Sequence, residues 1–293
     1  MFAGAHTALA TPFLDDGTID AEKFRKLIDA SLENGISGVV PTGTTGESPT
    51  LSHEEHNLVI ELAVKHTKKR GLVIAGTGSN STREAITMTQ HAEQIGADAA
   101  LLVAPYYNKP SQEGLFQHYR AIANATELPL MLYSIPGRCV VEIAVDTVVR
   151  LAEACPNIRA IKEAGGVTQR VVDLRAALPD DFEILSGDDA LTVDFMKVGG
   201  CGIVSVASNL IPKVMADIAA AMLDGKIAEA EALNEKYTPL FESLLKLDTN
   251  PVPIKAALSL AGICSDRVRL PMVRMAEDKK AELLTVLQNL NLA

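Results

Sequence analysis

The chain has 293 residues, 47 % of them hydrophobic and 22 % charged, and its 27 basic against 37 acidic side chains give a formal charge of −10. That composition excludes a disordered chain and is ample for one large domain or a barrel with an appendage. The acidic balance argues against nucleic acid or an anionic membrane as partner, because both need a basic face, but leaves room for a locally positive pocket that takes anionic substrates.

Met1–Ala10 has no basic stretch leading into an apolar core, and no apolar run approaches the roughly 20 residues of a membrane-spanning helix. The first 220 or so residues then alternate between two patterns. Short runs rich in Val, Ile, Leu and Ala, expected as buried parallel strands, fall near Thr7–Ala10, Gly38–Pro41, Leu72–Ala75, Ala99–Ala104, Pro129–Tyr133, Ile158–Lys162, Glu183–Ser186 and Gly202–Val206. Helical spacing lies between them. Phe24, Leu27, Ile28 and Leu32 share a face that ends at Gly35; Ser52 and Glu55 form a capping box for a helix running towards Arg70 and ending at Gly71; Thr82–Ile95 stops at Gly96. After about Asp224 strand signals cease, and Lys226–Leu247, Val252–Ala261 and Pro271–Leu290 read as helices. Four scattered cysteines, with no Cys-x-x-Cys pair, fit a reduced cytoplasmic setting without a metal site.

Eight strand–helix units imply a parallel sheet, since each parallel return needs a crossover. A doubly wound open sheet is the alternative, but neither a Gly-x-Gly-x-x-Gly after the first strand nor a Walker A sequence is present. The expectation is therefore a (β/α)8 TIM barrel over residues 1–224 with a C-terminal helical domain over 225–293. In such barrels chemistry gathers where strands end and βα loops begin.

Lys162 ends an apolar strand there. Desolvation disfavours its ammonium and frees a nucleophilic amine, unless it is an ordinary lysine snorkelling from a strand end. Tyr133 ends the preceding strand, where its phenol can shuttle protons or merely fill the barrel top. Thr44 and Thr45 sit in Gly43-Thr44-Thr45-Gly46-Glu47, a loop whose N–H and hydroxyl groups suit a carboxylate but which also reads as a plain turn. Arg138 is placed to clamp a carboxylate, or is a surface arginine. His53-Glu54-Glu55-His56 is one residue short of the zinc-binding His-Glu-x-x-His pattern. Asp188 and Asp189 read better as a helix N-terminus after the seventh strand than as a metal site.

Taken together, Gly43-Thr44-Thr45-Gly46-Glu47, Pro105-Tyr106-Tyr107-Asn108, Tyr133-x-x-Pro136-x-Arg138, Ile161-Lys162-Glu163 and Leu185-Ser186-Gly187-Asp188-Asp189 occur in the order and spacing that resemble the dihydrodipicolinate synthase family of the pyruvate-dependent class I aldolases, over essentially the whole chain. The resemblance implies Lys162 as the Schiff-base lysine, Tyr133 as proton donor and acceptor, and Thr44 with Tyr107 as the rest of a proton relay, Tyr107 coming from a neighbouring subunit. It implies Thr45, Gly187 and Val204 around pyruvate and Arg138 on the carboxylate of the second substrate, L-aspartate 4-semialdehyde, in diaminopimelate and lysine biosynthesis. No cofactor is implied, because the lysine is the electron sink. A homotetramer built as a dimer of dimers is implied, as is inhibition by L-lysine at Ser48, His53, His56, Gly78, Asn80, Glu84 and Tyr106. Ser134 and Cys139 stand where the family often has Asn and Thr, and Pro49 where relatives often carry Ala. A lyase for N-acetylneuraminate or a 2-keto-3-deoxy sugar acid is the rival within the superfamily, although the Thr44-Thr45 pair with Tyr107 and Arg138 favours the synthase. A non-catalytic binding protein on the same barrel is the rival of another class.

Overall fold

Runs such as Ala99-Ala-Leu-Leu-Val have no polar position to turn towards water, so they can only be strands covered on both faces. In the computed structural model, which describes residues 1–293, eight such strands hydrogen-bond in parallel and in sequence order into a closed barrel. They are β1 (Gly4–Ala8), β2 (Gly38–Val40), β3 (Leu72–Gly76), β4 (Ala99–Val103), β5 (Leu130–Ser134), β6 (Ile158–Glu163), β7 (Glu183–Ser186) and β8 (Gly202–Ser205). The fold is the expected TIM barrel. β1 starts three residues before and ends two residues before the expected Thr7–Ala10, because the polar His6 is fully buried within it. Closure has a steric condition at Gly202, where an added Cβ would stand 2.0 Å from the Gly4 carbonyl oxygen. Only glycine lets β8 approach β1.

Around the barrel run α1 (Ala21–Glu33), α2 (His53–Thr67), α3 (Thr82–Gln94), α4 (Gln112–Ala123), α5 (Pro136–Cys139), α6 (Val145–Ala154), α7 (Thr168–Ala177), α8 (Thr192–Lys197) and α9 (Pro212–Leu223). The Ser52–Glu55 capping box is formed in full. Gly35 and Gly96, at φ +88° and +90°, follow α1 and α3 in the left-handed conformation. α2 ends at Thr67 rather than running to Arg70, because Lys68 and Lys69 turn into the left-handed region and Lys69 Nζ reaches the Asp98 carboxylate at 2.6 Å.

The C-terminal helices are α10 (Ile227–Lys246), α11 (Val252–Leu260) and α12 (Glu277–Asn289). They share one apolar core with α1 and α9, through Phe24, Ile28, Ile218, Leu240, Leu258 and Leu283 among others. α12 starts six residues after the expected Pro271. The chain turns first at Arg269–Met272, where the Met272 N–H donates to the Arg269 carbonyl at 3.1 Å. Arg269 itself is anchored away from the helix: its N–H donates to Glu47 Oε2 at 3.0 Å and its guanidinium grips both oxygens of Glu55 at 2.6 Å. These bonds outweigh local helix propensity.

Candidate active site

Lys162 and Tyr133 are register partners on β6 and β5, so both side chains rise at the C-terminal mouth of the barrel. Lys162 Nζ lies 4.2 Å from the Tyr133 ring centroid, and each residue is only 5 % exposed. Burial pulls the Lys162 ammonium down from 10.5 to about 8; the Asp189 carboxylate opposes that fall and the Arg138 guanidinium adds to it. Burial pushes the Tyr133 phenol up to about 12, while Arg138 and the Thr44 hydroxyl beside it favour the phenolate. The mouth therefore holds a part-neutral amine against a protonated phenol, a pair fit for adding to a carbonyl and passing protons. Gly187 makes room for the lysine stem, since a Cβ there would stand 2.9 Å from Lys162 Cε.

The cavity above Lys162 is lined by Ala8, Thr44, Thr45, Arg138, Gly187 and Asp189, and it is roofed by Phe241, Leu244, Leu245 and Asn250 from the C-terminal helices. Thr45 is buried and accepts from Asn250 Nδ2 at 3.1 Å. Arg138, on the exposed turn α5, donates from Nη2 to the Asn250 backbone oxygen at 3.0 Å. Val204 sits lower, inside the barrel with Met131, Ala160 and Leu185, and Val206 is the residue after β8 that reaches the cavity wall. Two non-glycine residues with left-handed backbone frame the Thr44–Thr45 loop. Thr42 and Glu47 both sit at left-handed φ, +55° and +56°, conformations that β-branched and bulky residues adopt only when their surroundings enforce them. Thr42 Oγ1 is tied to the Gly76 carbonyl at 2.9 Å, and the Glu47 carboxylate is clamped by the fully buried Lys255 at 2.5 Å.

Asp188 and Asp189 do not cap a helix; α8 begins after Leu191, with no side-chain cap. Asp189 instead crosses from β7 to β8, accepting from Ser205 Oγ at 2.5 Å and from the N–H groups of Val206 and Ala207 at 3.1 and 3.0 Å. On the other side of Lys162, Glu163 is sealed by Arg170 Nε at 2.7 Å and the Gly165 N–H at 2.7 Å.

A second cavity adjoins the first through Thr44, Tyr133 and Arg138, and is also lined by Ser48, Gly78, Tyr106 and Cys139. The exposed His53 lies 3.4 Å from Glu84, and the two line a separate open pocket with Asn57 and His91. Asn80 Nδ2 donates to the Tyr106 carbonyl at 3.0 Å, while the Asn80 carbonyl accepts from Asn108 at 2.9 Å. His53 and His56 do not form a matching pair. His56 is buried and its Nε2 donates to the Gly76 carbonyl at 2.9 Å, which fixes the proton on Nε2, and burial holds the ring below its ordinary pKa. Tyr107 is 89 % exposed at φ +72°, and lines neither cavity within one chain.

Reading the sequence strand by strand misses Asn250, the cross-strand role of Asp189 and the Glu47–Lys255 pair. Asn250 carries no signal beyond a polar turn between helices. Lys255 carries one: it is the only charged residue in the apolar helix Val252–Leu260.

The dihydrodipicolinate synthetase family model matches residues 1–290. The chain is 49 % identical over 292 residues to the 4-hydroxy-tetrahydrodipicolinate synthase of Syntrophus aciditrophicus, covering 100 % of this chain and 99 % of the relative. Among solved structures it superposes at a TM-score of 0.97 on the 4-hydroxy-tetrahydrodipicolinate synthase of Methylacidiphilum fumariolicum SolV, with 50 % identity over 99 % of this chain and 96 % of that one. It superposes at 0.96 on the Cyanidioschyzon merolae enzyme with lysine bound, with 40 % identity over 100 % of this chain and 99 % of that one.

Proposed function

The chain belongs to the dihydrodipicolinate synthetase family, and from that membership we propose how its own residues carry out the family's reaction. It is a lyase that condenses pyruvate with L-aspartate 4-semialdehyde, giving 4-hydroxy-tetrahydrodipicolinate on the way to diaminopimelate and lysine. Neutral Lys162 adds to the keto carbon of pyruvate, and water leaves with the keto oxygen to form the imine. Thr45 holds the pyruvate carboxylate, with Gly187 leaving space beside the lysine stem. Loss of a proton from the methyl carbon makes the enamine; Tyr133 and Thr44, completed by Tyr107 of a neighbouring subunit, move that proton. The enamine carbon attacks the aldehyde while Arg138 binds the second substrate's carboxylate. The substrate amine then adds to the imine carbon and displaces Lys162, closing the ring and restoring the enzyme.

A buried amine lowered to about 8 beside a buried phenol carries this reading. Treatment with pyruvate and borohydride should add one reduced pyruvyl group per chain, at Lys162. Labelling elsewhere, no labelling, or a preference for cleaving N-acetylneuraminate would sink it. The working form is proposed as a cytoplasmic homotetramer, a dimer of dimers. L-Lysine is proposed to bind with Ser48, Gly78 and Tyr106, which line the second cavity, and with His53 and Glu84 of the neighbouring open pocket, His56 and Asn80 completing the set; a relative crystallised with lysine supports that reading.

A further inference from the structure

The turn between α10 and α11 has no chemistry of its own in the mechanism above, yet it touches both groups assigned to substrate carboxylates. Asn250 Nδ2 donates to Thr45 Oγ1 at 3.1 Å, and the Asn250 backbone oxygen accepts from Arg138 Nη2 at 3.0 Å. Asn250 also lines the cavity above Lys162. The turn is anchored: the next helix sends Lys255 to Glu47, in the same loop as Thr45, through a contact with both side chains 0 % exposed, and Lys255 Nζ also reaches the Thr11 carbonyl at 2.8 Å.

A hydroxyl has one proton to give and two lone pairs. With a lone pair of Thr45 taken by the Asn250 amide, its proton remains free, and it donates to nothing else within the chain. The amide thus fixes the hydroxyl as a donor towards the cavity. Thr45 is the Asn250 side chain's one hydrogen-bond partner; its Oδ1 is buried and unpaired within the chain.

We infer that Asn250 is a positioning residue that orients the Thr45 hydroxyl as a donor to the pyruvate carboxylate and, through its backbone oxygen, holds Arg138 over the second substrate. The C-terminal helices therefore complete the site. This rests on the functional reading above, and a wild-type protein that failed to trap pyruvate on Lys162 would overturn both together.

With wild-type trapping intact, steady-state kinetics test Asn250 by itself. Asn250→Ala should raise the KM for pyruvate about fivefold to tenfold while kcat stays within about threefold, the scale of one weakened bond to a charged group. Asn250→Asp keeps the shape but offers only acceptors, so it should capture the Thr45 proton, repel the anionic substrate and cost at least another tenfold, about 1.4 kcal/mol. In a Thr45→Val background Asn250→Ala should add less than about twofold, because the partner it acts through is gone. Asn250→Ser, which keeps a donor, guards against a variant that does not fold and should fall between wild type and Ala. An unchanged KM in Asn250→Ala and Asn250→Asp, or a full Ala penalty in the Thr45→Val background, overturns the inference.

Discussion

In the proposed mechanism two demands oppose each other at Lys162: the amine must be neutral to attack, and a buried ammonium is costly to keep. Burial meets the first, and Asp189 limits how far the shift goes. Because the folded value, about 8, lies below the ordinary 10.5, the unfolded chain holds this proton more tightly. The group therefore disfavours the folded state by about 3 kcal/mol below pH 8, a penalty that disappears as pH rises towards 10.5. In activity the same shift should make borohydride trapping at low pyruvate rise about tenfold per pH unit below 8 and level off above it. Asp189→Asn removes the charge that holds the proton on, so the midpoint should move to lower pH; a midpoint unchanged or higher would contradict this role. Lys162 and Tyr133 stand out in the sequence because they sit at strand ends, whereas Thr44 and Arg138 lie in the segments after β2 and β5 and are picked out by the family motifs. Asp189 was legible only as an aspartate, since its partners lie on the next strand.

At the scale of elements, α2 and α3 bring the exposed His53 to Glu84, while the loop after β4 delivers Tyr106 to the cavity next to Tyr133. A cation bound by Glu84 has a short path to the proposed proton relay through Tyr106, whose phenol is raised by burial and by Glu84 itself. Rising L-lysine should inhibit wild type, with a coupling of about 1–3 kcal/mol between the sites. Glu84→Ala should lose most of that inhibition and keep its uninhibited rate. Equal inhibition of both proteins, or none at millimolar lysine, would remove lysine from this pocket. The helices themselves were largely readable from caps and glycines, and the failures have tertiary causes. Lys68 and Lys69 leave α2 early where Lys69 pairs with Asp98, and α12 waits until Arg269 has met Glu47 and Glu55. No local pattern encodes partners 29 residues apart in the first case and more than 200 in the second.

For the whole molecule, one chain leaves Tyr107 exposed in a left-handed conformation, with Val140 and Val167 also exposed at 69 % and 55 %. An aromatic held at positive φ costs on the order of 1–3 kcal/mol, which fits a residue that finds its partner across an interface. Sedimentation should find at least a dimer, and a tetramer at working concentration, with activity per chain falling on dilution; a fully active monomer would contradict the shared relay. The barrel was the most legible feature, since eight fully covered strands leave eight apolar runs. Closure followed from the count of eight units, but the glycine seam that permits it, Gly202 against Gly4, was not legible. That seam also sets a timetable. β1 and β8 pair Gly4–Thr7 with Gly202–Ser205, so on a ribosome adding roughly 5–20 residues per second the first strand waits some tens of seconds with one edge unpaired. Until β8 emerges the barrel cannot close, so any sheet formed during synthesis has an open β1 edge, a liability that the finished barrel lacks.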